Sequence, residues 1–187
     1  MRTDAPGQSA LLMLDVAEAL KSQAIDYAVI GAMAAAVHGV VRASLDADAV
    51  VLLHVREAAR FQQLLAAAGF ITALRIGDEG DPIPALLEAR DAHGNRVDLL
   101  IGLRGLDPAA LTRALRVAFL GGELSVIGRE DFIAMKAYAG GPQDLSDASA
   151  VIAVDRESLD HGLLQRLAER FGRDTVRVVQ QLLAAPE

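Results

Sequence analysis

The chain has 187 residues, a net charge of −7 and no cysteine. This length predicts one domain, or one domain with a small appendage, and the absence of thiols excludes zinc–thiolate sites, cysteine nucleophiles and disulfide frameworks. The acidic charge and an aromatic content of only 4% argue against a general nucleic-acid binder with a base-stacking platform. No apolar run approaches the roughly 20 residues that cross a bilayer, and the N-terminal sequence MRTDAPGQSA lacks a signal-peptide layout. We therefore expect a soluble, cytoplasmic protein with no membrane partner.

The first part of the chain alternates helical and extended patterns. Ser9 is the expected N-cap of the first helix, and Gly31 provides a tight turn after a short buried strand. The glycine of His38-Gly39 marks a helix end. The predicted elements are a helix from Ser9 to near Gln23, a strand over 27–30, a helix over 32–37, a strand over 46–53 and a helix over 56–68.

The middle of the chain predicts strands and one clear loop. The segment GDEGDPIP, residues 77–84, is that loop, and Asp107-Pro108 has the form of a helix start. In the strand ending at Ile101, Asp98 points away from the face that carries Val97 and Leu99, because side chains alternate along a strand. The predicted strands are 70–74, a hairpin of 85–90 with 96–101, and a second hairpin of 116–120 with 123–127.

From Arg129 onward the pattern is helical. Segments 130–138, 144–154, 159–171 and 174–184 are separated by Gly140-Gly141-Pro142 and Gly172. The predicted fold class is α+β, with a small mixed β-sheet flanked by helices and a helical C-terminal part. We expect a core over residues 9–128 and a C-terminal helical subdomain over 129–187 packed on it.

Three carboxylates have the spacing of a metal site. Asp46 and Asp48 share one face of a predicted strand, and Asp98 is the one acid of an otherwise apolar strand. Such a set can hold two magnesium ions, which prefer oxygen ligands and clamp the attacking and leaving oxygens in nucleotidyl transfer. An isolated Asp-x-Asp is more often a solvated strand start. Here, however, the turn at Gly31 opens a helix whose free N–H groups suit a triphosphate.

Separate blocks of the chain resemble, in the right order, the motifs of the nucleotidyltransferase superfamily, whose fold is that of DNA polymerase β. The AbiEii-type toxin nucleotidyltransferases are the group that the chain resembles most. The segment GNRVDLLIG resembles the strand of the third carboxylate, and EDFIAMKAYAGGPQDLSDASAV resembles a helix-loop-helix motif of the family. The first motif is matched by Ile30-Gly31-Ala32, His38-Gly39, Arg42, Ser44, Asp46 and Asp48.

The resemblance implies a role for each matched residue. Asp46, Asp48 and Asp98 would bind the metals and act in catalysis, Lys136 would serve as a catalytic charge partner, and Asp144 and Asp147 align with late acidic positions. The implied nucleotide-binding residues are Gly31, Ala32, Arg42, Ser44 and Asp144. The alternatives are that Arg42 and Ser44 lie in an ordinary polar loop, that Lys136 is a surface lysine, and that Asp144 only caps a helix.

Two residues depart from the family pattern. Ala32 stands where the family has a second glycine or a serine, so a hydroxyl for phosphate is missing. Gly141 replaces the usual arginine, which removes a guanidinium. These departures leave three hypotheses open: transfer of a nucleoside monophosphate from an NTP to a tRNA hydroxyl by a toxin with an antitoxin partner, AMP addition to a protein such as a toxin, and a non-catalytic nucleotide-binding or partner-binding module. The sequence does not specify the NTP, the acceptor or the oligomer.

Overall fold

A computed structural model describes residues 1–185, and over this range the chain forms seven α-helices, seven β-strands and two short 3-10 turns. The strands are β1 (Tyr27–Ile30), β2 (Asp46–Val51), β3 (Ile71–Ile76), β4 (Ala85–Arg90), β5 (Arg96–Ile101), β6 (Leu115–Phe119) and β7 (Gly122–Val126). The helices are α1 (Ser9–Ser22), α2 (Gly31–Val37), α3 (Ala58–Ala67), α4 (Arg129–Ala139), α5 (Pro142–Val154), α6 (His161–Phe171) and α7 (Arg173–Ala184). The mixed α and β composition confirms the predicted fold class.

The seven strands form one mixed sheet in the order β3-β4-β5-β2-β1-β7-β6. The pairs β2–β5 and β1–β7 are parallel, and the other neighbouring pairs are antiparallel. Both predicted hairpins, β4–β5 and β6–β7, are confirmed. The strands β2 and β5 therefore lie side by side at the centre, although 44 residues separate the end of β2 from the start of β5 in the chain.

The core is continuous from the sheet into the C-terminal helices. Helix α1 packs against β2, β5 and β7, α3 packs against β3 and β4, and α4 packs against α5, α6 and α7. On β5, the side chains of Val97, Leu99 and Ile101 are fully buried, as the alternation predicted. Phe132 and Ile133 of α4 belong to the same buried cluster. The division into a core over residues 9–128 and a subdomain over 129–187 stays a prediction.

Three local predictions were wrong. Gln8 is the N-cap of α1, because the Ser9 hydroxyl donates instead to the carbonyl of Leu45 at 2.6 Å. Asp107-Pro108 starts a single 3-10 turn, Pro108–Ala110, which cannot extend far because β6 begins at Leu115 and pairs with β7. The helical period of residues 56–68 also predicts that Leu64 faces inward with Phe61 and Leu65. Leu64 is instead 38% exposed, since α3 packs through the narrower stripe of Ala58, Phe61 and Leu65.

Within residues 1–185, each helix is too short or too polar to cross a membrane.

Candidate active site

The register of the central strands brings the three predicted carboxylates together. In the parallel pair β2–β5, Asp48 lies opposite Asp98, and Asp46 lies opposite Arg96. Because these positions share one face of the sheet, the carboxylate oxygens of Asp46, Asp48 and Asp98 lie within 4.8 Å of one another. The spatial grouping that the sequence predicted is present, and we refer to these residues as the acidic triad.

Burial and the crowding of like charges together shift the pKa values of the triad. Burial, together with the charges of Asp46 and Asp98, raises the pKa of Asp48 to about 6. Burial also raises the pKa of Asp98, although the nearby Arg96 opposes the shift. Asp46 differs, because a hydrogen bond from Ser44 lowers its pKa against the effect of burial, and Arg96 adds to the lowering. Two of the three carboxylates are therefore costly to ionise without a further positive charge.

Position 31 requires glycine because of its backbone conformation and because the Asp48 side chain lies against it. Gly31 follows β1 with φ of +63°, in the left-handed region that only glycine adopts without strain. A Cβ built there would lie only 3.2 Å from Cγ of Asp48 and closer still to one of its carboxylate oxygens. The absence of a side chain thus lets the start of α2 touch the triad. The next residue, Ala32, is 7% exposed at the start of this helix.

Ser44 and Arg96 form the immediate polar surroundings of Asp46. The Ser44 hydroxyl donates to Oδ1 of Asp46 at 2.7 Å, and the Arg96 guanidinium donates to Oδ2. Arg96 also lies 3.5 Å from Asp98 and 3.9 Å from Glu88. The sequence prediction missed Arg96 and Glu88. Arg96 could have been found from the strand period, because it precedes Asp98 by two residues and so shares its face.

Lys136 points into the molecule and is held by two carboxylates of α5. Its ammonium lies 2.6 Å from Asp144 and 3.1 Å from Asp147, and its side chain is only 14% exposed. This placement excludes the alternative of a free surface lysine. Asp147 is almost fully buried, and it also accepts from Nε of Arg42 at 3.1 and 3.2 Å. Asp147 therefore ties α4, α5 and the loop before β2 together.

A cleft of about 350 Å³ opens beside the triad, between the sheet and α4. Gly31, Asp48, Lys136 and Asp144 lie on its wall, so the structure brings four of the predicted site residues to one cavity. Arg42 contacts Asp147, and Ser44 contacts Asp46. The predicted site residues that do not line this cleft are Ala32, Arg42, Ser44, Asp46 and Asp98. The remaining wall is mostly apolar and is formed by Ile30, Pro82, Ile83, Leu100, Leu103, Phe132, Met135, Tyr138 and Ala139.

The donor set fits a hard divalent cation. The triad offers only carboxylate oxygens, the ligands that Mg²⁺ and Mn²⁺ prefer. Among the described residues, Oδ1 of Asp98 is a buried atom without a hydrogen-bond partner. A cation ligated there would satisfy this oxygen and relieve the repulsion that adds to burial in raising the pKa of Asp48. Oxygen-only ligation, an unpaired acceptor and crowded charge thus agree with the metal site that the sequence resemblance predicts.

Neither protein-family models nor curated protein sequences gave a match to the chain. Solved structures do match. An antigenic nucleotidyltransferase-like protein from Paracoccidioides brasiliensis is similar with a TM-score of 0.52 and 18% identity, over 96% of this chain and 91% of that one. The antibiotic-resistance factor ANT(2'')-Ia is similar with a TM-score of 0.56 and 14% identity, over 93% of this chain and 95% of that one.

A second structure of ANT(2'')-Ia, in complex with adenylyl-2''-tobramycin, has a TM-score of 0.56 and 13% identity, over 88% of this chain and 96% of that one. At such identities the likeness establishes the architecture, and it extends over almost the whole of each chain. The strand order, the position of the acidic triad and these neighbours together give this chain the nucleotidyltransferase fold.

Proposed function

We propose that the chain is a divalent-metal-dependent nucleotidyltransferase that moves a nucleoside monophosphate from an NTP to an acceptor hydroxyl and releases pyrophosphate. The acidic triad carries this proposal: three carboxylates from two adjacent strands lie within 4.8 Å of one another, next to a glycine turn and a cleft. Nucleotidyl transfer needs this combination of clustered oxygen ligands and room for a nucleotide.

Asp46, Asp48 and Asp98 are the proposed metal ligands, with magnesium as the cation. A two-magnesium site supplies stabilisation of the charge that develops on the attacking and leaving oxygens. In the reaction, the acceptor oxygen forms a bond to the α-phosphorus, and the bond from that phosphorus to the bridging oxygen of pyrophosphate breaks. Asp98 completes the proposed metal site and is the proposed acceptor of the hydroxyl proton, because it lies within 4.8 Å of the other two carboxylates.

The remaining site residues are proposed to hold the nucleotide. Gly31 and Ala32 offer backbone N–H groups at the start of α2 to the triphosphate, and Lys136, which lines the same cleft as Gly31, neutralises its charge. Asp144 keeps Lys136 in place through its 2.6 Å ion pair. Arg42 and Ser44 are proposed to support the nucleotide site from the loop before β2.

A transfer assay with matched variants tests the function. Purified protein is incubated with each labelled NTP, Mg²⁺ and a cell extract, and label on macromolecules or small products is measured. Asp46→Asn and Asp48→Asn should lower transfer by on the order of 100-fold or more, because each removes a ligand of the reacting centre. The control is Asp174→Asn, the same chemical change at a side chain that is 91% exposed on α7. Chelation by EDTA should stop the reaction in every variant. Absence of label with all four NTPs contradicts the proposal.

The acceptor is the finer part of the proposal. Our leading candidate is tRNA, modified by an AbiEii-type toxin that an antitoxin partner restrains, in the cytoplasm. The net charge of −7 favours the second candidate, a protein such as a partner toxin that receives AMP, because an acidic surface repels RNA. ANT(2'')-Ia, which was solved with adenylyl-2''-tobramycin, adds a small-molecule hydroxyl as a third class. Sensitivity of the labelled product to nuclease or protease, and its gel mobility, distinguish the three.

A non-catalytic role as a nucleotide-binding or partner-binding module is the remaining alternative. Ala32 and Gly141 support it, since they lack the hydroxyl and guanidinium groups that the resembling family carries at these positions. Binding of Mg²⁺ and NTP without transfer to any acceptor would favour the module over the enzyme.

A further inference from the structure

We propose that Arg96 is a built-in counter-ion of the acidic triad, which competes with the divalent cation for Asp46 and Asp98 and moves toward Glu88 when the cation binds. This inference rests on the proposed function. It assigns a role in setting metal affinity to a residue that the proposed chemistry does not use.

The geometry places the guanidinium among acids of three adjacent strands. Arg96 lies on the same face of β5 as Asp98, opposite Asp46 of β2. It donates to Asp46 Oδ2, lies 3.5 Å from Asp98 Oδ1, and lies 3.9 Å from Glu88 Oε2 on β4. A cation held by the triad requires carboxylate oxygens of Asp46 and Asp98. The guanidinium and the cation therefore compete for the same ligands.

The contact of Arg96 with Asp98 is a poor one. Although their atoms are 3.5 Å apart, Nε of Arg96 and Oδ1 of Asp98 are both buried and, among residues 1–185, form no hydrogen bond with any partner. A planar guanidinium has fixed donor directions and satisfies Asp46 at the expense of Asp98. A spherical cation has no such constraint. Arg96 thus offsets the negative charge of the triad but leaves Oδ1 of Asp98 without a hydrogen bond. Such incomplete pairing is what we expect of a counter-ion that a metal ion can replace.

Glu88 already pairs with Arg90, whose donors lie 2.9 Å from Oε1 and 3.0 Å from Oε2. Because a carboxylate accepts up to about four hydrogen bonds, Glu88 still offers the Arg96 guanidinium a second position. Its side chain is 12% exposed, and in the β4–β5 pair it lies directly opposite Asp98. Shortening the 3.9 Å separation between Arg96 and Glu88 to hydrogen-bonding distance requires a shift of about 1 Å. This movement would take the Arg96 guanidinium away from Asp46 and leave it paired with Glu88. A divalent cation at the triad repels Arg96 in the same direction.

Metal binding to Arg96 variants tests the competition without relying on catalysis. The dissociation constant of Mn²⁺ is measured by electron paramagnetic resonance on the full chain, in the absence of nucleotide. Arg96→Gln should bind Mn²⁺ at least about tenfold more tightly than the unmodified chain, because the competing charge is gone. Arg116→Gln is the matched control, since it makes the same charge change at a side chain that is 78% exposed and paired with Glu123. Its Mn²⁺ affinity should stay within about twofold, because screening by salt weakens distant surface charges.

Two further variants sharpen the result. Arg96→Lys keeps the charge but cannot bridge two carboxylates, so it should also bind Mn²⁺ more tightly than the unmodified chain, and it decides the question if Arg96→Gln does not fold. Glu88→Gln should weaken Mn²⁺ binding when Arg96 is present and have a smaller effect in the Arg96→Gln background. Equal effects in the two backgrounds would overturn the movement toward Glu88.

The outcomes separate this inference from the proposed function. If the unmodified chain binds Mn²⁺ and the Arg96 variants bind it equally or more weakly, the competition is wrong and the metal-dependent function stands. If neither the unmodified chain nor the variants bind Mn²⁺ at millimolar concentration, the competition is wrong. The transfer assay with Mg²⁺ and NTP then decides the proposed function on its own, because substrate phosphates supply part of the metal coordination.

Discussion

Gly31 joins the backbone turn after β1 to the position of the Asp48 carboxylate. Gly31→Ala places a Cβ 3.2 Å or less from side-chain atoms of Asp48 and forces alanine into a φ of +63°. We expect a loss of about 2 kcal/mol in the free energy of unfolding, from the left-handed backbone and the clash. Displacement of Asp48 should weaken Mn²⁺ binding and lower transfer by on the order of 100-fold.

The control for this prediction is Gly121→Ala in the β6–β7 turn. Gly121 has φ of +80°, and a Cβ there would meet no atom within 4 Å. This variant carries the same backbone strain, about 1 kcal/mol, without touching the triad. Urea unfolding and Mn²⁺ binding measured on both variants separate the two effects. Unchanged Mn²⁺ affinity in Gly31→Ala would contradict the proposed dependence of the site on this glycine.

At the residue scale, the sequence predicted the clustering of the three acids but not the side chains that contact them. Asp46, Asp48 and Asp98 could be placed together because side-chain alternation and a family motif both indicate them. The pairing of Arg96 with Asp46 depends on the parallel register of β2 with β5, which was not predicted from the sequence. Glu88 lies on the strand that was predicted to form a hairpin with β5. The direction of the Ser44 hydroxyl toward Asp46 is likewise a matter of loop geometry.

At the element scale, two carboxylates in the first two turns of α5 hold the positively charged side chains of Lys136 and Arg42 in place. Asp147 holds both Lys136 and Arg42, whereas Asp144 holds Lys136 alone and is 29% exposed. Asp147→Asn should lower the free energy of unfolding at neutral pH by about 3 kcal/mol, because it breaks a buried ion pair. The control Asp144→Asn should cost about 1 kcal/mol or less, as expected for a more exposed pair.

The effect of Asp147→Asn should depend on pH. Burial raises the pKa of Asp147, but hydrogen bonds from Gln143, Lys136 and Arg42 outweigh it, so the pKa lies below the usual value of 3.8. A lowered pKa in the folded state stabilises the protein above the pKa of the unfolded chain, and this contribution is lost as the pH falls through the folded value. The stability gap between the unmodified chain and Asp147→Asn should therefore narrow below about pH 4. A gap of constant size in urea unfolding down to pH 3 would contradict this account.

Elements with a strong period were predictable, and those set by tertiary contacts were not. The bounds of β5 were predicted from its alternating side chains, and those of α4 from its helical period and terminal glycine. Both predictions agree with the structure to within one residue. The 3-10 turn after Asp107 has a correct capping signal, and the side chain of Asp107 does accept from the backbone N–H of Ala109. The turn is short because β6 begins soon after it. The start of β6 is set by pairing with β7, which the local sequence does not encode.

At the scale of the whole molecule, the sheet and the C-terminal helices share one core. Buried side chains of residues 9–128 and 129–185 form a single cluster. The ion pairs Arg42–Asp147 and Arg113–Asp131 also cross the boundary at residue 128, and both of the acids are almost fully buried. Separate unfolding of either part would expose apolar surface and leave buried charges unpaired. We therefore expect one cooperative transition in urea.

The two tyrosines allow this prediction to be measured part by part. Tyr27 lies in β1, Tyr138 of α4 stacks on Phe171 of α6 with ring centroids 4.8 Å apart, and the chain has no tryptophan. In Tyr138→Phe the fluorescence reports the sheet, and in Tyr27→Phe it reports the helices. Each signal should change with the same midpoint as the far-ultraviolet circular dichroism of its own variant. A Tyr138 transition at lower urea would show that the helices detach first. Because Lys136 and Asp147 belong to those helices, such detachment would also remove the Lys136 ammonium from the site before the triad itself unfolds.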